Sequence, residues 1–358
     1  MTRRLIAFTH AREDPAARFR LLQFVPGLEH AGWSVSHRPN RPERPWESPF
    51  EAPPLRWAHQ RAGVLLRRFR RRLDVRAASG FDVAFVNRDL LEGSIAWEET
   101  LWRRNPRVVL DFDDTIHLGR KAAHFARAAA GASWITAGNE NLLAVARKWT
   151  DRASLLPTVI DTARYPAPPG VRADGPLRVG WLGSDLSIRE TLFPFLPMLG
   201  ELQAELGFEF VVVSRPRREL PGTRLHWRFV EWSPDVEARI AEFFDVGIMP
   251  LVDDEFQRGK CGCKLLQYMA AGIPAIASPV GVNASILADG RGFAAGDPQG
   301  WGEALLRLRD PGLRAELGLR GRAYVERAYS VRAWLPHLLD VLDGVRTGRR
   351  PAAVAPER

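Results

Sequence analysis

The stretch RGKCGCKLLQYMAAGIPAIASPVGVN, residues 258–283, decides how the rest of the chain is interpreted. The run VGIMPLV before it predicts a buried strand, and KLLQYMAAG predicts a helix. Basic residues and glycines crowd the start of that helix: Arg258, Gly259, Lys260, Gly262 and Lys264. Free backbone N–H groups and the helix dipole favour anions at such a place. The loop therefore predicts a phosphate site, and the alternative is a turn whose basic residues are only exposed.

The same stretch contains the only two cysteines of the chain, Cys261 and Cys263. Two cysteines cannot form a disulfide framework, and a structural zinc ion requires four ligands, which are not available nearby in the sequence. The P-loop spacing GxxxxGK[ST] is also absent. We therefore predict no metal site and interpret the cysteines as bystanders that fill space near the loop.

The whole chain shows the alternation of strands and helices that is typical of parallel α/β sheets. Apolar runs such as RLIAFTH (4–10), FDVAFVN (81–87) and RVVLDFDD (107–114) predict buried strands, and a helix is expected over about Arg18 to Ala31. A linker rich in proline and glycine, PAPPGVRADGP (166–176), precedes a second such block. Because 358 residues exceed the ~250–300 of one core, we expect two doubly wound domains facing across a cleft.

The net charge of +9 is concentrated between Arg38 and Arg76, where 11 arginines face four acidic residues. Leu55 to Leu73 within this insert predicts a helix with one apolar face and arginines on the other. No nucleic-acid-binding signature accompanies the charge, so we expect no nucleic-acid partner. Two interpretations stay open, which are a solvated helix face and, for residues 55–76, docking on an anionic membrane.

Targeting signals are not evident in the sequence. The start MTRRLIAFTH has too short an apolar run for a signal peptide, and no window reaches the ~18 apolar residues of a membrane span. We expect a cytoplasmic protein that is peripheral at the inner face of the membrane if the insert docks there.

GKCGCKLLQYMAAGIPAIASPVGVN resembles the donor-binding segment of family-4 glycosyltransferases, which have the GT-B fold. DGRGFAA (289–295), GWLGS, LDFDDTIH, TAGNENL and LPTVIDTARY resemble further segments of that family. The resemblance implies a retaining hexosyltransferase of polysaccharide or cell-envelope biosynthesis. It also implies a nucleotide-diphosphate sugar as co-substrate, a glycan or lipid-linked acceptor and no required cofactor.

The resemblance also implies roles for particular residues on the donor side. Lys264, Lys260 and Arg258 would stabilise the leaving diphosphate, opposite Gly183 and Ser184 of the GWLGS turn. The other residues that the resemblance assigns to donor binding are Trp232, Gly259, Gly262 and Gln267. The family's two glutamates correspond to Gly259 and Gln267 here, which keeps open a homologue that binds sugar nucleotides without turnover.

The motif VVLDFDDTI (108–116) supports two readings. It resembles the first motif of haloacid dehalogenase-type phosphatases, in which Asp111 would be the nucleophile, Asp113 the acid/base, and Mg²⁺ necessary. In the transferase, Asp113 and Asp114 would orient or deprotonate the acceptor hydroxyl. The expected acceptor-side residues are His10, Arg18 and His117. The alternative for the aspartates is helix capping or pairing with nearby arginines.

The predicted organisation has four parts. Residues 1–172 form an acceptor-side domain that contains the arginine-rich insert 38–76, and residues 173–330 form the donor domain. A helix over 331–346 crosses back to the first domain, and residues 347–358 form a flexible tail.

Overall fold

A computed structural model describes residues 2–41, 52–91, 94–166, 170–217 and 219–352. Residues 42–51 of the predicted insert, 167–169 of the predicted linker and 353–358 of the predicted tail lie outside these ranges. The chain divides into two compact units. The first contains Met1–Thr158 together with Trp334–Pro356, and the second contains Val159–Ala333.

The first unit is built on a six-stranded parallel sheet in the order β2-β1-β3-β4-β5-β6. Its strands are β1 Arg3–Thr9, β2 Trp33–Pro39, β3 Val83–Asn87, β4 Val108–Phe112, β5 Trp134–Ala137 and β6 Ala153–Leu155. Its helices are α1 Pro15–Arg20, α2 Val25–His30, α3 Pro53–Ala77, α4 Ala96–Arg104, α5 Ala122–Gly131 and α6 Glu140–Arg147. All residues of β3 and β4 are buried, which explains their continuous apolar sequences.

The second unit has its own six-stranded parallel sheet in the order β12-β11-β10-β7-β8-β9. Its strands are β7 Arg178–Leu182, β8 Glu209–Ser214, β9 Trp227–Glu231, β10 Val246–Met249, β11 Ala275–Ala277 and β12 Phe293–Ala294. Its helices are α7 Asp185–Ser187, α8 Leu196–Leu206, α9 Pro234–Ala238, α10 Glu255–Arg258, α11 Cys263–Ala270, α12 Asn283–Leu287, α13 Pro298–Arg307 and α14 Pro311–Ala328. A π-helical turn, Ile188–Leu192, follows α7.

The last helix, α15 (Val331–Thr347), belongs to the first unit from Trp334 onward. Its contacts with that unit are specific. Asp343 pairs with Arg3 at 2.7 Å, and His337 Nε2 lies 3.1 Å from the hydroxyl of Ser154. The two parallel sheets, each surrounded by helices, confirm the predicted pair of Rossmann-like domains and give the chain the GT-B fold.

The helix predicted over about Arg18 to Ala31 is wrong in its extent. The structure has α1 ending at Arg20, a short 3-10 turn over Leu22–Phe24, and then α2. Pro26 lies in the first turn of α2, where its missing N–H and fixed φ are tolerated, whereas a continuous helix would have placed it in the interior.

Candidate functional site

In each sheet, successive strands are added first on one side of a central strand and then on the other, and we call the edge where the order changes the reversal point. In open α/β sheets, ligands bind at this point, beyond the carboxyl ends of the strands. In the second unit β7 lies between β8 and β10. In the first unit β1 lies between β2 and β3. The loops that leave these strands at their carboxyl ends therefore define two candidate sites, one in each unit.

In the second unit, a hydrogen bond connects the loops that leave β7 and β10. The ammonium of Lys264, on the first turn of α11, donates to the Ser187 hydroxyl at 2.8 Å. The same ammonium lies 5.3 Å from the ring centroid of Trp181. Lys264 thus brings a positive charge to the reversal point, at the start of a helix whose dipole also favours anions.

Tyr268, one turn further along α11, fixes the position of this helix. Its hydroxyl accepts a hydrogen bond from the Leu182 N–H at 3.0 Å and donates one to the Ile248 carbonyl at 3.2 Å. Complete burial raises the pKa of Tyr268, so the hydroxyl keeps its proton. A Cβ at Gly247 would lie 2.3 Å from the Tyr268 ring, which explains the glycine in VGIMP.

Gly183, directly after β7, is packed closely against Trp181 and Lys264. A Cβ there would lie 2.4 Å from the indole of Trp181 and 3.0 Å from Cε of Lys264. Its neighbour Ser184 caps α7, with the hydroxyl accepting from the Ser187 N–H at 3.3 Å. The GWLGS turn is therefore closely packed against the lysine that the sequence places opposite it.

The glycines of the quoted stretch have separate geometric causes. Gly262 precedes α11 with φ +66°, a left-handed conformation that glycine adopts without strain. Gly281 has φ +59°, and a Cβ there would lie 2.7 Å from the carbonyl oxygen of Arg258. Gly259 has an ordinary φ of −80° and caps α10. The loop before α11 is therefore held against the loop after β11 by backbone contact.

The three cations predicted to bind phosphate, Arg258, Lys260 and Lys264, contact different residues. Arg258 is exposed and pairs with Asp253, Nε to Oδ1 at 2.6 Å. The hydrogen bond and charge of Asp253 raise the pKa of Arg258. The Lys260 ammonium lies 4.2 Å from the ring centroid of Phe256. Lys264 contacts Ser187 and Trp181 at the reversal point of the sheet.

Gln267 is buried on the inner side of α11. Its amide nitrogen lies 3.5 Å from the hydroxyl of Tyr165, and its amide oxygen lies 3.7 Å from the sulfur of Cys263. Cys261 and Cys263 are both free thiols. Among the described residues, no group of three or more histidine, cysteine and acidic side chains could hold a metal ion.

Trp232 follows β9 directly. Its backbone N–H donates to the Ser214 carbonyl at 2.9 Å, and its indole N–H donates to the buried Glu237 carboxylate at 3.0 Å. The indole is half-buried and is held on α9, beside the carboxyl end of β8.

Three buried oxygen atoms near these loops have no hydrogen-bond partner within the described ranges. They are Ser214 Oγ, at the end of β8, Gln257 Oε1, on α10, and Asn283 Oδ1, on α12. An unsatisfied buried polar atom costs ~1–3 kcal/mol, and a bound polar ligand would remove that cost. These atoms are the second observation, besides the lysine, that indicates a polar ligand at this edge of the sheet.

In the first unit, His10 and Asp89 connect the loops that leave β1 and β3. Nε2 of His10 lies 2.8 Å from Oδ1 of Asp89, whose side chain is almost fully buried. Burial raises the pKa of Asp89, but the hydrogen bond from His10 and the charges of His10, Lys121 and His124 outweigh it and hold that pKa below its ordinary value. Asp89 is therefore a carboxylate at neutral pH.

Arg88 forms ion pairs with Asp113 and Asp114, which follow β4. Its Nε donates to Asp113 at 2.9 Å, and its guanidinium lies 3.8 Å from the Asp114 carboxylate. Burial lowers the pKa of Arg88, but the carboxylates of Asp113, Asp114 and Asp14 outweigh it and raise that pKa. Arg88 adopts φ +69°, an unusual value for a residue with a side chain and one that tends to occur at functional sites. The guanidinium of Arg88 thus holds the side chains of Asp113 and Asp114 together after β4.

A cavity of about 250 Å³ opens beside this cluster. It is lined by Arg88, Asp89, Ile95, Ile116, Lys121, Ala123, His124, Phe125 and Arg127. Nε2 of His124 lies 3.3 Å from the buried Glu98, whose carboxylate raises the pKa of the imidazole against the opposing effect of burial. The charges around the cavity are arranged in opposite pairs, which suits a hydroxylated ligand that both donates and accepts hydrogen bonds.

The other two predicted acceptor-side residues, Arg18 and His117, contact aromatic rings. Arg18 is half-buried on α1, 5.0 Å from the Phe19 ring centroid. His117 is half-buried in the loop after β4, 6.0 Å from the Phe125 ring centroid. His10 contacts Asp89, whereas Asp113 and Asp114 contact the neighbouring residue Arg88.

Asp111 has a different role from the two aspartates after it. It is fully buried and accepts from Arg20 at 2.5 and 3.1 Å, from Asn87 at 2.8 Å and from Thr136 at 2.7 Å. Arg20 also donates to the Leu156 carbonyl. A carboxylate whose lone pairs are all occupied inside the sheet cannot attack a phosphate ester, so the geometry speaks against the phosphatase reading.

Arg88, Asp89 and Ser187 were not among the residues predicted from the sequence. A signal for the first two existed, because RD follows the buried strand FVN directly and ligands gather at carboxyl ends of strands. Ser187 gave no signal of its own, since only the fold brings it to Lys264.

Comparison with known proteins agrees with this division of the chain. Residues 178–310 match the family model described as Glycosyl transferases group 1. A search of curated proteins found no match. The match covers the second unit from β7 to the start of α14, which contains the Lys264 site.

Solved structures resemble the chain over nearly its whole length. Sucrose-phosphate synthase from Thermosynechococcus elongatus has a TM-score of 0.70 at 16% identity, over 97% of this chain and 100% of that one. Anabaena HepE, solved with UDP and glucose, has a TM-score of 0.64 at 13% identity, over 96% and 100%. WaaG, a glycosyltransferase involved in lipopolysaccharide biosynthesis, has a TM-score of 0.60 at 16% identity, over 95% and 100%. At these identities the likeness establishes the shared fold.

Proposed function

We propose that this protein is a hexosyltransferase that moves a sugar from a nucleotide-diphosphate sugar to an acceptor hydroxyl, with retention of configuration. The observation that carries the proposal is the Lys264–Ser187 contact at the reversal point of the second sheet, inside the segment that matches the Glycosyl transferases group 1 model. Support also comes from HepE, a structure of the same fold that was solved with UDP and glucose.

The donor would bind to the second unit through its diphosphate and nucleoside. Lys264 and the first N–H groups of α11 would face the phosphates, and Gly183 and Ser184 would line the opposite loop. The unsatisfied oxygens of Ser214, Gln257 and Asn283 are suited to accept hydrogen bonds from donor hydroxyl or N–H groups. Trp232 is proposed to contact the base.

In the reaction, the bond between the anomeric carbon and the diphosphate oxygen breaks, and its electron pair stays on the phosphate. The acceptor oxygen forms the new bond to the same carbon, and its proton passes to the oxygen of the departing diphosphate. Because negative charge increases on the leaving group, Lys264 stabilises the transition state more than the ground state. We propose that Lys264 and the backbone amides at the start of α11 are sufficient to stabilise the leaving diphosphate, so that no metal ion or cofactor is required.

The acceptor would bind to the first unit, in the cavity beside Arg88 and Asp89. Asp113, positioned by its hydrogen bond from Arg88, would accept a hydrogen bond from the acceptor hydroxyl and orient it. Because Asp113 is already engaged by the Arg88 guanidinium, orientation of the hydroxyl is the larger part of this role. The proposed acceptor is a glycan, polysaccharide or lipid-linked sugar of the cell envelope, and the proposed location is cytoplasmic.

A second function has a specific observation in its favour. Gly259 and Gln267 occupy the places where family-4 enzymes have glutamates, and Gln267 is buried. A protein without those carboxylates would bind a sugar nucleotide and not turn it over.

Titration calorimetry with UDP, GDP and ADP, paired with a turnover assay on the corresponding sugars, separates the two functions. A transferase binds one diphosphate through Lys264 and releases that diphosphate from its sugar conjugate. A binding protein gives the same calorimetric result with no release, including with acceptor glycans added. Absence of binding to all three, at the millimolar concentrations that calorimetry reaches, would contradict both.

A further inference from the structure

Helix α3 presents an apolar stripe to solvent. Seven apolar side chains of the helix are exposed by 37–64%. They are Leu55, Trp57, Val64, Leu65, Leu66, Phe69 and Leu73. Five of them, with Ala58 and Ala62, follow each other at intervals of one, three and four residues and so form one continuous stripe ~27 Å long, from Leu55 to Leu73.

The outward direction of this stripe is fixed by the opposite face of the helix. Gly63, Arg71 and Val75 are buried against the first unit. The Arg71 guanidinium donates to the carbonyl of Arg38 at 3.0 Å and of Thr9 at 3.3 Å. Burial lowers the pKa of Arg71 to about 10, against the charges of the acidic residues around it, so it stays charged at neutral pH. The helix thus buries an arginine and exposes leucines, the reverse of an ordinary surface helix.

Arginines flank the stripe on both sides. At ~100° per residue, Arg61, Arg68 and Arg72 lie on one side of it and Arg56 and Arg70 on the other, each ~70–130° from its centre. All five are exposed. Arg61 lies 4.8 Å from the ring centroid of Trp57, which projects ~130° from the centre of the stripe. Between residues 53 and 77 the chain has eight arginines and one acidic residue, Asp74.

We propose that α3 docks on the surface of an anionic lipid bilayer, with its axis in the membrane plane. An apolar stripe of leucine and phenylalanine, with arginines along both margins, is the pattern that lies at the boundary of headgroups and acyl chains. The stripe would enter the acyl region, and the arginines would contact anionic headgroups. No helix within the described ranges is long and apolar enough to cross a membrane, so docking would be peripheral.

The charge at the margins distinguishes this occupant from others. A second copy of the chain would bring the same arginines against themselves, and like charges oppose such an interface. A nucleic acid would contact the arginines but leave the apolar stripe in water, since phosphates offer nothing for it to contact. An anionic bilayer satisfies both parts of the surface together.

The test is sedimentation of the full-length chain with vesicles of phosphatidylcholine alone or with 30% phosphatidylglycerol, at low and high salt. We expect binding to the anionic vesicles, weakened by salt. The triple variant Arg61→Gln/Arg68→Gln/Arg72→Gln is expected to bind roughly 100-fold more weakly, because each basic residue near such a surface contributes ~1 kcal/mol. The double variant Leu65→Ser/Phe69→Ser is expected to lose at least ~10-fold.

Matched controls come from exposed residues of the second unit, which are expected to leave vesicle binding unchanged. They are Leu306→Ser/Leu319→Ser for the apolar change and Arg239→Gln/Arg320→Gln for the charge change. Equal binding by the wild type and the Leu65→Ser/Phe69→Ser variant would overturn the proposal, because charge alone would then explain adsorption. A lipid-free dimer that this variant dissociates, with no vesicle binding, would instead assign the stripe to a second copy.

Binding of an oligonucleotide without vesicle binding would overturn it as well. Failure of the wild type to sediment with anionic vesicles at low salt has the same meaning. None of these outcomes depends on sugar transfer, so the proposal stands or fails separately from the proposed function.

Discussion

Nζ of Lys264 lies 2.8 Å from Oγ of Ser187, and this contact joins the two loops that leave the second sheet where its strand order reverses. Tyr268 holds the same helix to β7 and β10, so the lysine is positioned before any ligand arrives. Preorganised charge of this kind is effective in catalysis because it requires no rearrangement as the leaving group forms.

Replacing Lys264 with alanine is expected to lower the rate of nucleoside diphosphate release by roughly 100-fold, the size of effect seen when one preorganised donor is removed. The measurement is initial rate at saturating donor. Lys148→Ala, an exposed lysine of the first unit, is the control and is expected to keep the wild-type rate. A Lys264→Ala variant with the wild-type rate would remove this residue from the donor site.

The substitution Gly183→Ala is expected to weaken nucleoside diphosphate binding by ~10-fold and to lower the free energy of unfolding by ~1–3 kcal/mol. The added methyl would lie 2.4 Å from Trp181 and 3.0 Å from Lys264, so the lysine must move. Gly296→Ala is the matched control, since the nearest atom to its added methyl would be 3.9 Å away. Calorimetry and urea unfolding give the two quantities, and equal donor affinity in both variants would argue against the close packing described.

For Asp113→Asn, we expect the rate of transfer to fall by roughly 100-fold while donor affinity stays unchanged. The proposed acceptor contact belongs to the first unit and the donor contacts belong to the second. Steady-state kinetics with varied donor and acceptor separate the two effects. A parallel loss of donor affinity would show that the substitution acts on donor binding, contrary to the proposed role.

Asp111→Asn is expected to lower the free energy of unfolding by ~3–5 kcal/mol, because Arg20 would remain buried without its counter-charge. Urea unfolding followed by circular dichroism measures this. Asp151→Asn removes an exposed ion pair with Arg350 and is expected to cost less than ~1 kcal/mol. If Asp111→Asn kept full stability and abolished a Mg²⁺-dependent release of orthophosphate, the phosphatase would be reinstated.

The stability of the first unit is expected to fall as the pH falls from about 6.5 to about 4. Burial, with the charges of Arg12 and Arg71, lowers the pKa of His37 from 6.5 to about 4. The unfolded chain therefore binds more protons in this window, and protonation favours unfolding. After allowance for the exposed part of the imidazole, the loss is on the order of 1–2 kcal/mol.

Urea unfolding at pH 7 and pH 4.5 measures that loss. His37→Gln is expected to reduce the difference between the two pH values, and His30→Gln, at an exposed position, is expected to leave it intact. An undiminished pH dependence in His37→Gln would assign the effect to other groups.

The sequence was sufficient for the sheets, because parallel strands buried on both faces appear as continuous apolar runs. β3 and β4 are examples, and the linker and the two strand–helix blocks led to two doubly wound domains. The helix predicted after residues 258–264 is present as α11, and the anion site at its start stays a prediction. The sequence did not show which of the cations lies at the reversal point, since that depends on Ser187, 77 residues away.

Long-range pairing accounts for most of what the sequence did not show. Asp111 looked like a candidate nucleophile in the sequence because its motif resembles that of a phosphatase. Its ion pair with Arg20, 91 residues earlier, becomes visible only in the fold. The apolar face of α3 was evident as a pattern, but its outward direction depends on Arg71 reaching carbonyls of Thr9 and Arg38. Periodicity identifies the faces of a helix and leaves open which one the fold covers.

The most direct test of the central claim is the release of nucleoside diphosphate from a panel of UDP-, GDP- and ADP-sugars with acceptor glycans, in EDTA and in Mg²⁺, with orthophosphate assayed separately. We expect release from one donor, unaffected by EDTA, reduced roughly 100-fold in Lys264→Ala and accompanied by a glycosylated acceptor. Orthophosphate release that requires Mg²⁺, or diphosphate release that Lys264→Ala leaves unchanged, would contradict the account.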